Sequence, residues 1–370
     1  MIRMTLKLCI MSVLLVAALI QPAVAAKYLV YTGTYTRDAT KGIYAFTFDP
    51  ATGAMGPAEL KAETSNPSWL AVHPNGKFLY SVNEDTDGMV TAFAMDPKTG
   101  ALTKLNSVSS GGSVPCHLAI DKTGKLLLTA NYGSGSVGVT AIGADGRLGE
   151  TTRVQHKGSA EPHAHEIVFS KDNRFAFVPE LGLNQVISYR VDPAKGSISP
   201  NDPPFVQLPT GNGPRHFAFH PNGKFAYGNN ELSMTATAYT YDAARGELKE
   251  IQTLSTLPGG LKAGEGLSTS EAEVDRNGKF LYVGNRGHNS IAVFAIGGDG
   301  KLTAVEQAPT LGKTPRSFKI DPTGKYLLAG NQDSNTVVEF RIDAKTGKLT
   351  PTGKTIEAGI PVCFVFVPAK

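Results

Sequence analysis

The chain has 370 residues, 41% of them hydrophobic, with 40 Gly, 23 Pro and a formal net charge of +4. That length allows one large domain or two ordinary ones, and so much Gly and Pro beside so much apolar sequence suits many short strands joined by turns, not disorder. Basic and acidic residues nearly balance, 36 against 32, and no basic run occurs, which gives no case for nucleic acid or an anionic membrane as partner.

The first 25 residues stand apart. Arg3 and Lys7 make a basic start, Leu8 to Ile20 is mostly apolar, and Ala23-Val24-Ala25 forms a small-residue cleavage site. This pattern predicts a secretory signal peptide over residues 1–25, removed to leave one domain over 26–370 with no membrane attachment. An apolar core of about 13 residues is short for a membrane anchor, which needs roughly 20. Cys9 lies in this leader. Cys116 and Cys363 fall in non-adjacent repeats, so no disulfide is expected between them, although export would allow one.

The rest of the chain repeats. A turn recurs as HPNGK (His73 to Lys77), DKTGK (Asp121 to Lys125), SKDNR (Ser170 to Arg174), HPNGK (His220 to Lys224), DRNGK (Asp275 to Lys279) and DPTGK (Asp321 to Lys325). Successive copies lie 48, 49, 50, 55 and 46 residues apart. Short apolar runs flank each copy, as at Phe217 to Phe219 and Phe225 to Gly228, and Asn and Gly tolerate the positive φ of a tight hairpin. A third strand follows each hairpin, such as Met89 to Ala94, Val186 to Val191 or Ser290 to Ile296. Next comes a turn of the type DPKTGAL (Asp96 to Leu102) or GGDGKL (Gly297 to Leu302), and then a fourth strand. Four antiparallel strands per unit of this length make a propeller blade. Ser197 to Gly213 and Leu257 to Thr269 read as loops.

The ends complete the count. Ile360 to Pro368 supplies only a first strand, and the mature N-terminus supplies the others from Tyr28 to Thr32 and Gly42 to Phe48 onward. The expectation is an all-β, seven-bladed β-propeller with four antiparallel strands per blade, closed by a blade shared between the N- and C-termini.

Let the fourth residue of each turn be position zero. An antiparallel hairpin brings positions −8 and +8 to the same sheet edge, and the first strand of a blade lines the central channel. Position −8 holds Ser68, Cys116, His165, Arg215, Ser270 and Arg316; position +8 holds Glu84, Tyr132, Leu181, Glu231, Arg286 and Gln332. Position +7 is Asn in five copies, including Asn285, where the side chain can bond local backbone as the strand ends. A base, cations and acids thus converge on one face, beside His163, Glu271 and Glu273. They make either a ligand site or a salt-bridge network closing the channel mouth. His163 and His165 have no matching cluster for a metal, so no metal or other cofactor is expected. Trp69 reads as core between blades.

EPHAHEIVFS (Glu161 to Ser170), GPRHFAFHPNGKFAYGNNE (Gly213 to Glu231), SEAEVDRNGKFLYVGNRGHNSIAVF (Ser270 to Phe294) and TPRSFKIDPTGKYLLAGNQDSNTV (Thr314 to Val337) closely resemble the seven-bladed propeller lactonase family. That family includes bacterial cycloisomerase-type 6-phosphogluconolactonase and is similar to fungal carboxymuconate lactonising enzymes. The resemblance implies lactone ring opening, or its reverse, without a metal. It carries catalytic roles onto His165, Arg215, Glu231 and Arg286, with His165 or Glu231 as base. His163, Arg316, Glu271, Glu273 and Asn285 are the expected substrate-binding residues. GNNELSM (Gly228 to Met234) and PELGLN (Pro179 to Asn184) depart from the family's usual forms. Phosphorylated sugar lactones are cytosolic metabolites and this chain reads as exported, so the expected partner is a sugar-acid lactone with its phosphorylation left open. The competing expectations are a non-enzymatic propeller that binds an anionic ligand or a protein, and a muconate-type cycloisomerase.

Overall fold

The computed structural model describes residues 27–259 and 261–369; the leader expected over 1–25 lies outside them. Seven antiparallel sheets are present. Six have four strands in chain order, as in Pro214–Phe219, Phe225–Asn230, Thr235–Asp242 and Glu247–Ser255. The seventh joins the chain ends. Pro361–Pro368 pairs with Tyr28–Thr34, which pairs with Gly42–Asp49, whose outer partner is split into Ala54–Met55 and Glu59–Glu63. The chain is therefore the expected seven-bladed β-propeller with a shared closing blade.

First strands meet one another around the centre. Pro214–Phe219 touches Ser268–Val274, then Pro315–Ile320, Pro361–Pro368, Leu70–Val72, Pro115–Ile120 and Val168–Phe169 follow in turn. The apolar core is divided into seven clusters, one wedged between each pair of neighbouring blades. Alternation along each strand sends side chains to both faces, and both faces are covered, so central strands such as Leu126–Asn131 and Tyr326–Asn331 are buried throughout.

The repeated turns stitch the blades. Each zero residue has positive φ, from 64° at Asn173 to 76° at Gly324. A tyrosine on the second strand donates across to a turn glycine of the next blade: Tyr80 to Gly146 O (2.9 Å), Tyr227 to Gly300 O (3.0 Å) and Tyr282 to Gly347 O (2.9 Å). Ser197–Gln207, expected as loop, is an 11-residue outer strand paired with Gln185–Asp192. It contains Pro200, Pro203 and Pro204, which an edge strand tolerates because its outer side needs no ladder donor. Cys116 and Cys363 are both buried free thiols.

Candidate active site

A β-bulge repeated in the first strands builds the site. Pro214 pairs with Asn230 and His216 with Asn229, leaving Arg215 unpaired between them; Cys116, Arg316 and Val362 sit at the same break. A bulge re-aims its extra side chain, and here it turns position −8 into the channel. Opposite, the amide at +8 donates to the carbonyl at −10, as from Glu231 to Gly213 O at 2.7 Å and Gln332 to Thr314 O at 2.9 Å. This bond fixes the +8 side chains at the rim.

These two devices bring His165, Arg215, Glu231, Arg286 and Arg316 together. Glu231 Oε2 lies 2.8 Å from Arg215 Nε, and its Oε1 lies 2.8 Å from Arg286 Nη2. Arg215 is 2% exposed and its Nη1 donates to Ser270 O, so it is committed to the protein. Arg286 also donates from Nη2 to Thr269 O at 2.9 Å. Arg316 is the least engaged: its guanidinium lies 5.0 Å above the Tyr35 ring and 3.8 Å from Glu84 Oε1, with no hydrogen bond among the described residues. Tyr35 donates to both Glu84 oxygens, at 2.9 and 3.0 Å. Tyr132 stacks on His163 at 4.6 Å and meets His165 edge-on at 5.7 Å.

The electrostatics separate the two candidate bases. Burial pushes the Glu231 carboxyl up, but Arg215, Arg286 and Arg316 outweigh it and hold the group below the ordinary carboxylate range. Burial pushes His165 down, and Arg215, His216, Arg316 and Arg286 push it further, well below an ordinary imidazole. His165 is therefore neutral at neutral pH, with a lone pair to accept a proton. Burial, with Arg215 beside it, lowers Arg286 to about 10.

Three expected binding residues do not join this set. Glu271 is buried, with Oε1 2.7 Å from His216 Nδ1 and Oε2 accepting from Ser317 Oγ at 3.2 Å. Glu273 lies further down the same strand, paired with Lys319 Nζ at 3.2 Å and accepting from Ile320 N at 3.1 Å. Residues one and three past the bulge follow the strand into the channel, away from the rim. Asn285 is fully buried and donates to Thr256 O at 3.0 Å, and Asn131 and Asn331 stitch to Ser110 and Thr310 in the same way. His163 stays at the rim, its Nδ1 3.0 Å from Tyr132 O. Trp69, expected between blades, also faces the channel, 4.1 Å from the His117 ring.

Sequence reasoning placed Glu84 and Tyr132 at +8 without assigning them a role. It missed Tyr35 because the seventh hairpin is split between the chain ends and has no turn to number from. Among the described residues no group of three or more His, Cys, Asp or Glu side chains is arranged to hold a metal ion.

The comparisons with known proteins bear on the family of the fold. The chain is 36% identical to 6-phosphogluconolactonase of Bacillus subtilis (strain 168) over 350 residues, covering 92% of this chain and 99% of that one. It is 35% identical to 6-phosphogluconolactonase of Formosa agariphila over 338 residues, 86% of this chain and 94% of the other. The solved structure of a periplasmic gluconolactonase from Pseudomonas aeruginosa superposes with a TM-score of 0.88 at 32% identity, covering 93% of this chain and all of that one. The family described as Lactonase, 7-bladed beta-propeller matches residues 29–366, and with the blade count and the bulge-built site already in place, the chain belongs to that family.

Proposed function

We propose that this protein is an exported lactonase that opens a sugar-acid lactone by metal-independent hydrolysis. The observation that carries the reading is the pairing of a neutral buried imidazole, His165, with cationic side chains that retain unused donors. His165 accepts a proton from the attacking water as its oxygen bonds the carbonyl carbon. Arg286 and Arg316, 15% and 16% exposed in their side chains, stabilise the oxyanion that forms. The ring C–O bond then breaks, and the alkoxide takes the proton back from His165. Glu231, clasped by two arginines, is a poor base. It offsets the charge of Arg215 and Arg286 and holds them in register.

Three arginines against Glu231 and Glu84 leave the set one positive charge in excess, which suits one developing oxyanion and then one product carboxylate. This balance favours an unphosphorylated lactone. The leader sequence and the periplasmic relative support export, and no helix among the described residues is long and apolar enough to cross a membrane.

The deciding experiment follows acid release by the purified mature protein from glucono-1,5-lactone, 6-phosphogluconolactone and a muconolactone, beside the Glu231→Gln variant as control for spontaneous hydrolysis. Turnover of gluconolactone, reduced in the variant, is the expected result. Preference for the phosphorylated lactone would overturn the charge argument. Failure to turn over any of the three would point to a binding propeller.

A further inference from the structure

Beneath the arginines lies a small void whose lining includes Ser68, His165, Arg215, His216, Arg316 and Val362. It leaves about 10 Å³ for the centre of a water molecule, room to seat one water against polar partners. Of the polar atoms on its lining residues, Arg215 Nε is answered only by the nearby Glu231 Oε2 at 2.8 Å, and Ser68 Oγ and His165 Nδ1 are buried with no hydrogen-bond partner among the described residues. Their residues are 3% and 5% exposed. Leaving two such atoms unsatisfied would carry the desolvation penalty of each. His216 also lines the void, with its ring 5.3 Å from that of His165, and its Nδ1 is engaged by Glu271.

We propose that this void holds one ordered water that joins Ser68, His165 and His216, and that the His216–Glu271 pair acts through it to orient His165. This rests on His165 being the base of the proposed lactonase. The hydrogen-bond directions follow from Glu271. Burial pushes its carboxyl up, but His216, Lys319 and Arg215 outweigh this, so it is ionised and accepts. His216 therefore carries its proton on Nδ1 and presents Nε2 as an acceptor. The water donates to His216 Nε2 and to Ser68 Oγ, and accepts from His165 Nδ1–H. His165 Nε2 is left as the free base. No proton is lost through the water. One moves from the attacking water to His165 Nε2 and returns to the alkoxide, while the negative charge of Glu271 steadies the imidazolium in between. His216, Glu271 and Ser68 are positioning residues in this scheme.

Other charges also face these rings. Arg215, Arg286 and Arg316 surround His165, with the Tyr132 ring and the Cys116 thiol; His117, Arg215 and Arg316 are beside His216. They set the resting protonation of both rings, and a test must separate them from the water. Two variants do so. Glu271→Gln removes the distant charge and leaves every arginine in place. Ser68→Val fills the void with methyl groups and changes no charge. Imidazole nitrogen spectra of the isotope-labelled mature protein, recorded without substrate, read the His165 tautomer and its titration directly. The wild type is expected to hold the proton on Nδ1, and both variants to shift it towards Nε2. Turnover of the best lactone should fall roughly tenfold in kcat in both, with KM within about twofold, as a partial loss of general-base catalysis. A crystal structure should show the water in the wild type and not in Ser68→Val. Identical His165 spectra in all three proteins would overturn the proposal whatever the turnover. If the wild type opens no lactone, the proposed reaction fails but the spectra still decide whether the water links the rings. If Glu271→Gln does not fold, the Ser68→Val spectra decide alone: a shifted tautomer supports the water link and an unchanged one overturns it.

Discussion

At the scale of single residues, the chemistry depends on one imidazole kept neutral and one carboxylate kept charged. His165→Ala should lower kcat by about 10²- to 10⁴-fold, the usual range for a general base, with unchanged far-UV circular dichroism. His165 is depressed below the ordinary imidazole value of about 6.5, so the acid limb of the kcat/KM profile should lie below that pH. A limb at or above 6.5 would remove His165 as the group that titrates. Glu231 has the opposite consequence for stability. Its folded pKa is lowered, so its contribution is fully present above its unfolded value of about 4.3 and is lost as pH falls through the lower folded value. Glu231→Gln leaves Arg215 buried without its counter-charge. The partial exposure of Glu231 reduces the usual penalty for breaking a buried pair, and the expected loss at neutral pH is about 2–3 kcal/mol, read from urea unfolding. The activity control with this variant must therefore run well below its melting temperature.

At the scale of the repeated element, turn glycines that look alike in sequence tolerate change differently according to what packs on them. Gly223 and Gly300 both have positive φ, 70° and 81°. A Cβ on Gly223 meets nothing within 4 Å, whereas one on Gly300 falls 2.3 Å from Phe225 Cδ1 in the preceding blade. Gly223→Ala should cost only the left-handed strain of about 1–2 kcal/mol. Gly300→Ala adds overpacking of about 1–3 kcal/mol, and calorimetry on the pair should show the difference. Turn chemistry and strand order were legible in the chain because each repeat restates them. Ser197–Gln207 was not, because three prolines imitate a loop wherever an edge strand has spare donors. The rim was legible as far as a count from the turn could reach. That count found His165, Arg215, Glu231, Arg286 and Arg316, and the bulge at −8 with the backbone bond at +8 explains why they meet at the rim. It could not show that Glu271 and Glu273, so near in sequence, follow the strand into the channel. Nor could it show that Asn285 serves the backbone of the preceding blade.

At the scale of the whole molecule, every blade supplies one wall of the channel and the ring holds only while it is closed. Removing Pro361–Pro368 bares the edge of Tyr28–Thr34 and uncovers the cluster of Val30, Phe46 and Phe48. It also takes Val362 from the void beneath the arginines. Such a truncation should give an aggregating protein in size-exclusion chromatography, since an exposed apolar edge is a template for pairing. Tyr28 pairs with Pro368, and Ala369 N donates to Lys27 O at 2.8 Å, so Tyr28–Thr34, the first of the described strands, waits for the last of them before it has a neighbour on its inner side. Pairings of such sequence separation form slowly, and the time to complete the ring is set by the arrival of the final residues. Because Lys27 and Ala369 already touch, a chain trimmed to them can be joined there, and new ends opened after Pro258, between Glu247–Ser255 and Ser268–Val274. Every blade of that permuted chain is made in one piece, and it should refold faster than the natural order while keeping the same site.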